Sequence, residues 1–147
     1  MQYPETAAFI NTLIDKVEQL IPEYMARKED REKERGGSAI CILDPEGRVY
    51  GKMFGTDAIM ARERYRVAWI KASQAWITGL PTGEYERQVF NKEIDEGKYG
   101  IRRPDLIGWE GGQPLALPDG TMIAAGFGGF TSASDLEIVR RALAMMS

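Results

Sequence analysis

The apolar pattern of this 147-residue chain predicts an α+β domain built on an antiparallel sheet flanked by helices. Three observations carry that prediction. An amphipathic helical stripe opens the chain, strands then come in pairs joined by tight turns, and the helix after the first pair is apolar on two sides.

The opening stripe runs through Phe9, Ile10, Leu13, Ile14, Val17, Leu20, Ile21 and Tyr24 at three- and four-residue spacing. Thr6 is its expected N-cap, and Pro22, which lacks an amide proton, is expected to kink or restart the helix. Residues 27–35 are all charged with both signs mixed, the pattern of a solvated helix end, and Gly36-Gly37 closes it. The first 35 residues thus read as a helical segment packed on a domain formed by residues 36–147.

Ser38 to Leu43 is continuously apolar and reads as a buried strand. Asp44-Pro45-Glu46-Gly47 supplies turn chemistry, with proline presetting φ at the second position, and Arg48 to Phe54 returns as the second strand. A helix follows, capped by Thr56 or Asp57 and closed by Gly79. Ala58, Ala61, Tyr65, Ala68, Ala72, Ala75 and Trp76 give it a face of mostly small residues suited to close approach onto the sheet. Ile59, Ile70 and Ile77, with Val67 nearby, give a second face that predicts contact with another subunit.

Glu84 to Asn91 suggests a short helix and Lys92 to Arg103 a loop. Leu106–Trp109, Pro114–Leu117 and Thr121–Phe127 read as three further strands, the last two joined by Pro118-Asp119-Gly120. Ser134-Asp135-Leu136-Glu137 has the form of a capping box, with Leu136, Val139, Leu143 and Met146 as the core stripe of a final helix.

Composition removes several functions. There is no histidine, so a Ser-His-Asp triad, an HExxH zinc helix and histidine-ligated haem are excluded. A single cysteine, Cys41, excludes an internal disulfide and any multi-cysteine zinc site. The net charge of -3 argues against a nucleic-acid partner. The uncharged run from Thr121 to Ser134 is too short to span a bilayer, and the N-terminus lacks a signal-peptide pattern, so the expected location is cytoplasmic, with no membrane partner.

Chemistry can sit in few places. Gly111 and Gly112 precede one strand; Gly126, Gly128 and Gly129 end another, where backbone amides can cradle an anion or the glycines can simply allow a sharp corner. Lys71, flanked by Ala68, Ala72 and Ala75, can extend its ammonium to a ligand carboxylate, or lie along the surface. Tyr65, Lys71, Asp119 and Glu110 are the nearest candidates for acid–base work. Cys41, in mid-strand, reads as a buried inert thiol.

Several motifs in order resemble one family. Ile42-Leu43-Asp44-Pro45-Glu46-Gly47 is similar to an apolar-Asp-x-x-Gly hairpin, and Lys52-Met53-Phe54-Gly55-Thr56 to an Arg-Met-Asp-Gly-Ala segment, with Lys and Phe in place of Arg and Asp. Ala68-Trp69-Ile70-Lys71-Ala72-Ser73-Gln74-Ala75 matches an A-x-x-K-A-x-x-A helix, and Leu80-Pro81-Thr82 the Pro-Thr after it. Gly111-Gly112-Gln113-Pro114-Leu115, Asp119-Gly120, Gly126-Phe127-Gly128-Gly129 and Asp135 complete the series, with Gly128 standing for a serine. Over residues 36–147 the chain resembles the GlcG/HbpS-like haem-binding proteins, also found as the C-terminal domain of PduO-type cobalamin adenosyltransferases. The resemblance implies a profilin-like fold with a five-stranded antiparallel sheet, a homo-oligomer, and haem as a family cofactor.

Because the chain has no histidine, the expectation is no His-ligated haem and no cofactor, Cys41 and the tyrosines being the residual ligands to test. The expected function is small-molecule binding, in a catabolic or biosynthetic pathway, of an organic ligand, anions included, held by Lys71, Gly111, Gly112, Gly126, Gly128 and Gly129. The alternative is an acid–base lyase or isomerase using Lys71, Tyr65 or a carboxylate. A structural subunit with a vestigial pocket is a third reading.

Overall fold

The computed structural model describes residues 2–106 and 110–146. Helices α1 (Tyr3–Met25) and α2 (Lys28–Glu34) lead into the hairpin β1 (Ser38–Leu43) and β2 (Val49–Phe54). Then come α3 (Ala58–Thr78), α4 (Thr82–Phe90), β3 (Gly112–Ala116), β4 (Met122–Gly128) and α5 (Ser132–Ala144). All strand pairs are antiparallel in the order β2-β1-β4-β3.

Two corrections concern the sheet and the caps. Four strands are present among the described residues, where five were expected. Of the segment 106–109 only Leu106 is described, in a bend, and residues 107–109 lie outside the described residues. The final helix starts before the expected capping box. Thr131 is its cap, accepting from the Ser134 amide, and Ile138, Val139 and Ala142 are fully buried while Leu136 and Leu143 are only half-buried. At the other end of the chain Thr6 lies inside α1, and Pro22 falls in its last turn without breaking it, because little helix remains for the missing donor to disrupt.

The sheet divides two apolar layers. On one face Ile40, Ile42, Phe54, Ile123, Ala125 and Phe127 pack under α1 and α5, which bring Ile10, Leu13, Val17, Tyr24, Ile138 and Val139. Phe127, Phe130 and Tyr24 stack in series, with centroids 5.2 and 5.5 Å apart. The Tyr24 hydroxyl donates to Glu137, tying α1 to α5. On the other face Ala39, Cys41, Leu43 and Ala124 meet Ala68, Ala72 and Ala75 of α3.

This second layer is thin because of its residues. Gly51, Cys41, Gly126 and Gly112 are successive partners across β2, β1, β4 and β3, forming a row of small residues across the sheet. Helix α3 lies in that trough. A Cβ built on Gly126 would come 2.3 Å from the Ala68 carbonyl oxygen, and one on Gly112 would come 2.5 Å from that of Lys71. Tyr65 fills the space over Gly51.

The second apolar face of α3 is only partly as expected. Ile59 is 83% exposed and Ile77 39%, but Ile70 is buried within this chain at 7%. It therefore serves the chain's own interior, and a charge placed there would disrupt folding before it could report on any subunit contact.

Candidate functional site

Helix α3, the end of β4 and the start of α5 converge on a cleft of about 440 Å³. Lys33, Arg64, Val67, Lys71, Gly128, Gly129, Phe130, Ser132 and Asp135 line it. Its size falls in the range of small-molecule pockets, about 300–1,000 Å³.

At its floor sits a buried ion pair. Lys71, 4% exposed and not the surface lysine its sequence context also allowed, places Nζ 3.1 Å from Asp135 Oδ2 and 3.0 Å from the Phe127 carbonyl oxygen. Asp135 Oδ1 accepts from the Phe130 amide at 2.9 Å. Burial, opposed by the Lys71 ammonium, pushes the Asp135 carboxyl up to about 7. A carboxyl raised above its unfolded value of about 3.9 contributes stability that is complete below that value and is lost as pH rises through the folded one. The Tm difference between the parent protein and Asp135→Asn, which cannot titrate, is therefore expected to shift against the parent as pH rises from 5 to 8.

The cleft wall comes from α2, read in sequence as a solvated helix end. Two of its carboxylates are buried instead. Asp30 accepts from the Thr131 amide and the Ser134 hydroxyl at the start of α5, and Glu34 accepts from the Gly36 amide. The Arg64 guanidinium donates to the Lys33 and Glu34 carbonyl oxygens, which brings α2 and α3 together, while its buried Nε has no hydrogen-bond partner. Lys33, Arg64 and Lys71 thus set three cations against the single carboxylate of Asp135.

The expected glycines divide into groups. Gly128 and Gly129 line the cleft. Gly126 and Gly112 are covered by the main chain of α3 on their open side, so they serve helix–sheet contact there. Gly111, at φ +122°, lies over the ion pair, where a Cβ would come 2.7 Å from Lys71 Nζ. Tyr65 belongs elsewhere: its hydroxyl meets the Cys41 sulfur at 3.8 Å, and burial pushes it up to about 12. Asp119 accepts from the Thr121 amide in the β3–β4 turn, and Glu110 lines a separate shallow hollow beside Gly83 and Arg87. Of the residues singled out in sequence as acid–base candidates, only Lys71 lines the cleft. Arg64 and Lys33 were missed because nothing local marks them. Asp135 was visible as a motif match but not as a partner of Lys71.

Burial pushes the Cys41 thiol up to about 11, and the residue is fully covered. Its alkylation by iodoacetamide in the native state is expected to proceed no faster than unfolding, as mass spectrometry over time would check. Haem ligation does not fit the cleft, whose polar heads are ammonium, guanidinium, hydroxyl and carboxylate, with no imidazole, thiolate or thioether. Among the described residues no three of His, Cys, Asp and Glu gather to hold a metal ion, and no helix is long and apolar enough to cross a membrane.

No family model matches the sequence, and no curated protein matches it. Solved structures do. HbpS of Streptomyces reticuli, as a double mutant, superposes with a TM-score of 0.62 at 16% identity, covering 93% of this chain and 85% of that one. The Klebsiella pneumoniae protein ORFY gives 0.66 at 18%, covering 93% and 86%. The PduOC:haem complex gives 0.60 at 17%, covering 98% and 93%. HbpS and PduOC are of the kind toward which the motifs pointed, and the chain shares the fold of these structures.

Proposed function

We propose that the chain is a small-molecule binding protein of the GlcG/HbpS-like kind, whose ligand is an organic anion held in the Lys71–Asp135 cleft. The carrying observation is the excess of cations over carboxylates on one concave surface, with Lys71 fixed at its floor. Burial strengthens such charges toward a ligand relative to water. Gly128 and Gly129 bring main chain to the cleft, their missing Cβ atoms making room for Arg64 and Ser38 beside them. The PduOC neighbour is a haem complex, and a hemin titration tests whether this chain shares that ligand. The expected result is no sharp six-coordinate Soret band.

A thermal-shift screen of mono- and dicarboxylates, followed by calorimetry of the best hit, tests the reading. Arg64→Met and Lys71→Met are each expected to weaken binding at least tenfold, and Lys92→Met, outside the cleft, to leave it unchanged. Equal affinities across the three variants would sink the proposal. A second reading, an acid–base lyase or isomerase, draws on Asp135, whose carboxyl at about 7 suits proton transfer near neutral pH. We further propose a homo-oligomer, for which the exposed Ile59, Trp69, Trp76 and Ile77 of α3 supply apolar surface. Light scattering showing a monomer at micromolar concentration would count against it.

A further inference from the structure

The Lys71 amine is placed to do more than attract an anion. It lies at the bottom of a cleft, its charge met by a carboxylate at 3.1 Å and a carbonyl oxygen at 3.0 Å. Lys71 lines the cleft, and the Gly111 main chain passes over the ion pair without a side chain that would crowd the amine, since a Cβ there would come 2.7 Å from Nζ. Arg64 and Lys33 lie on the same cleft, and the Arg64 Nε is a buried donor without a partner. A buried amine beside a proton acceptor, with cations in reach, is the arrangement that carbonyl condensation needs.

We propose that the cleft takes 2-oxo acids, Arg64 and Lys33 holding the carboxylate while Lys71 condenses with the adjacent carbonyl to form an imine. This rests on the reading of the cleft as an anion site. In the step, Asp135 Oδ2 takes a proton from the Lys71 ammonium, and the freed Nζ adds to the carbonyl carbon, whose π pair passes to oxygen. That oxygen receives the proton back from Asp135, giving a carbinolamine. A second proton moves from nitrogen to the hydroxyl through the same carboxylate, the C–O bond breaks, and water leaves as the C=N bond forms. Ammonium and ketone thus become iminium and water, with no change of oxidation state. The high-lying Asp135 carboxyl suits both proton transfers. The Phe127 carbonyl oxygen remains as an acceptor for the iminium N–H.

The test is reductive trapping. The full chain is incubated with pyruvate and cyanoborohydride, then analysed by intact mass and peptide mapping. The expected result is one adduct, a gain of pyruvic acid less one oxygen atom, mapping to Lys71 and absent from Lys71→Met. In Asp135→Asn, which keeps the amine, trapping is expected to slow at least tenfold. If Lys71→Met does not fold, the map of the parent protein decides alone. An adduct on Lys33, or spread over Lys16, Lys28 and Lys52 at rates equal to Lys71, overturns the proposal. Lactate, which keeps the carboxylate and lacks the carbonyl, separates the two readings by thermal shift. Stabilisation by lactate and pyruvate alike with no trapped adduct overturns the imine and leaves the anion site standing; no stabilisation by either overturns both.

Discussion

Asp135→Ala is expected to remove about 3–5 kcal/mol of folding stability, the range for leaving one member of a buried ion pair uncompensated. Lys71 is 4% exposed, so little water is at hand to replace the carboxylate beside its ammonium. The same substitution strips the Phe130 amide of its acceptor at the corner that leads into α5. Against a total stability of about 5–15 kcal/mol, such a loss would leave much of the protein unfolded at moderate temperature. Urea titration followed by circular dichroism measures it. Combining Lys71→Met with Asp135→Leu, which removes both charges, is expected to recover most of the loss. If the double variant is as unstable as Asp135→Ala, the charge imbalance is not the cause.

Gly126→Ala is the second large effect. Its new methyl group would come 2.3 Å from the Ala68 carbonyl oxygen and 2.7 Å from the Ala72 amide nitrogen. Both are main-chain atoms in the middle of a helix, so no rotamer change relieves the contact, and the whole of α3 must rise from the sheet. Overpacking of this kind costs about 3 kcal/mol. Gly97→Ala, where the new methyl group would meet only an Asp95 side-chain oxygen at 3.8 Å, is expected to be near neutral. A midpoint shift in urea for Gly126→Ala no larger than that for Gly97→Ala would show that α3 can move away from the trough at little cost.

Legibility in the sequence followed the range of the interactions. β1 matched its apolar run from Ser38 to Leu43, and Asp57 and Gly79 bounded α3, because turn and cap chemistry is written within a few residues. The β1–β2 turn is equally local, with the Asp44 carboxylate accepting from the Glu46 and Arg48 amides. What escaped depends on partners far along the chain. Asp30 looked like one charge among many in a solvated stretch, and only the fold brings it to Ser134. Ile70 carried the same helical phase as exposed Ile77, and burial distinguishes them only once the chain is folded. The candidate site was half legible. Lys71 and the glycine corner stood out, but Arg64, Lys33 and the role of Asp135 required the packing of α2, α3 and α5 together.

The trough across the sheet leaves α3 with a problem of sliding. Alanines facing glycines and a cysteine offer few knobs and few holes, so apolar contact alone distinguishes poorly between one axial position of the helix and another a few ångströms away. Directional bonds must choose. Along α3, Arg64 is fastened to the carbonyl oxygens at the end of α2, Lys71 to Phe127 and Asp135, and the Trp76 indole to the Asp44 carbonyl oxygen at 3.0 Å. These three anchors span most of the helix and act like the pins of a ruler laid in a groove. The middle pin is the same amine that faces the cleft, so any ligand that draws Lys71 away from Asp135 also loosens the lengthwise alignment of the helix beneath it.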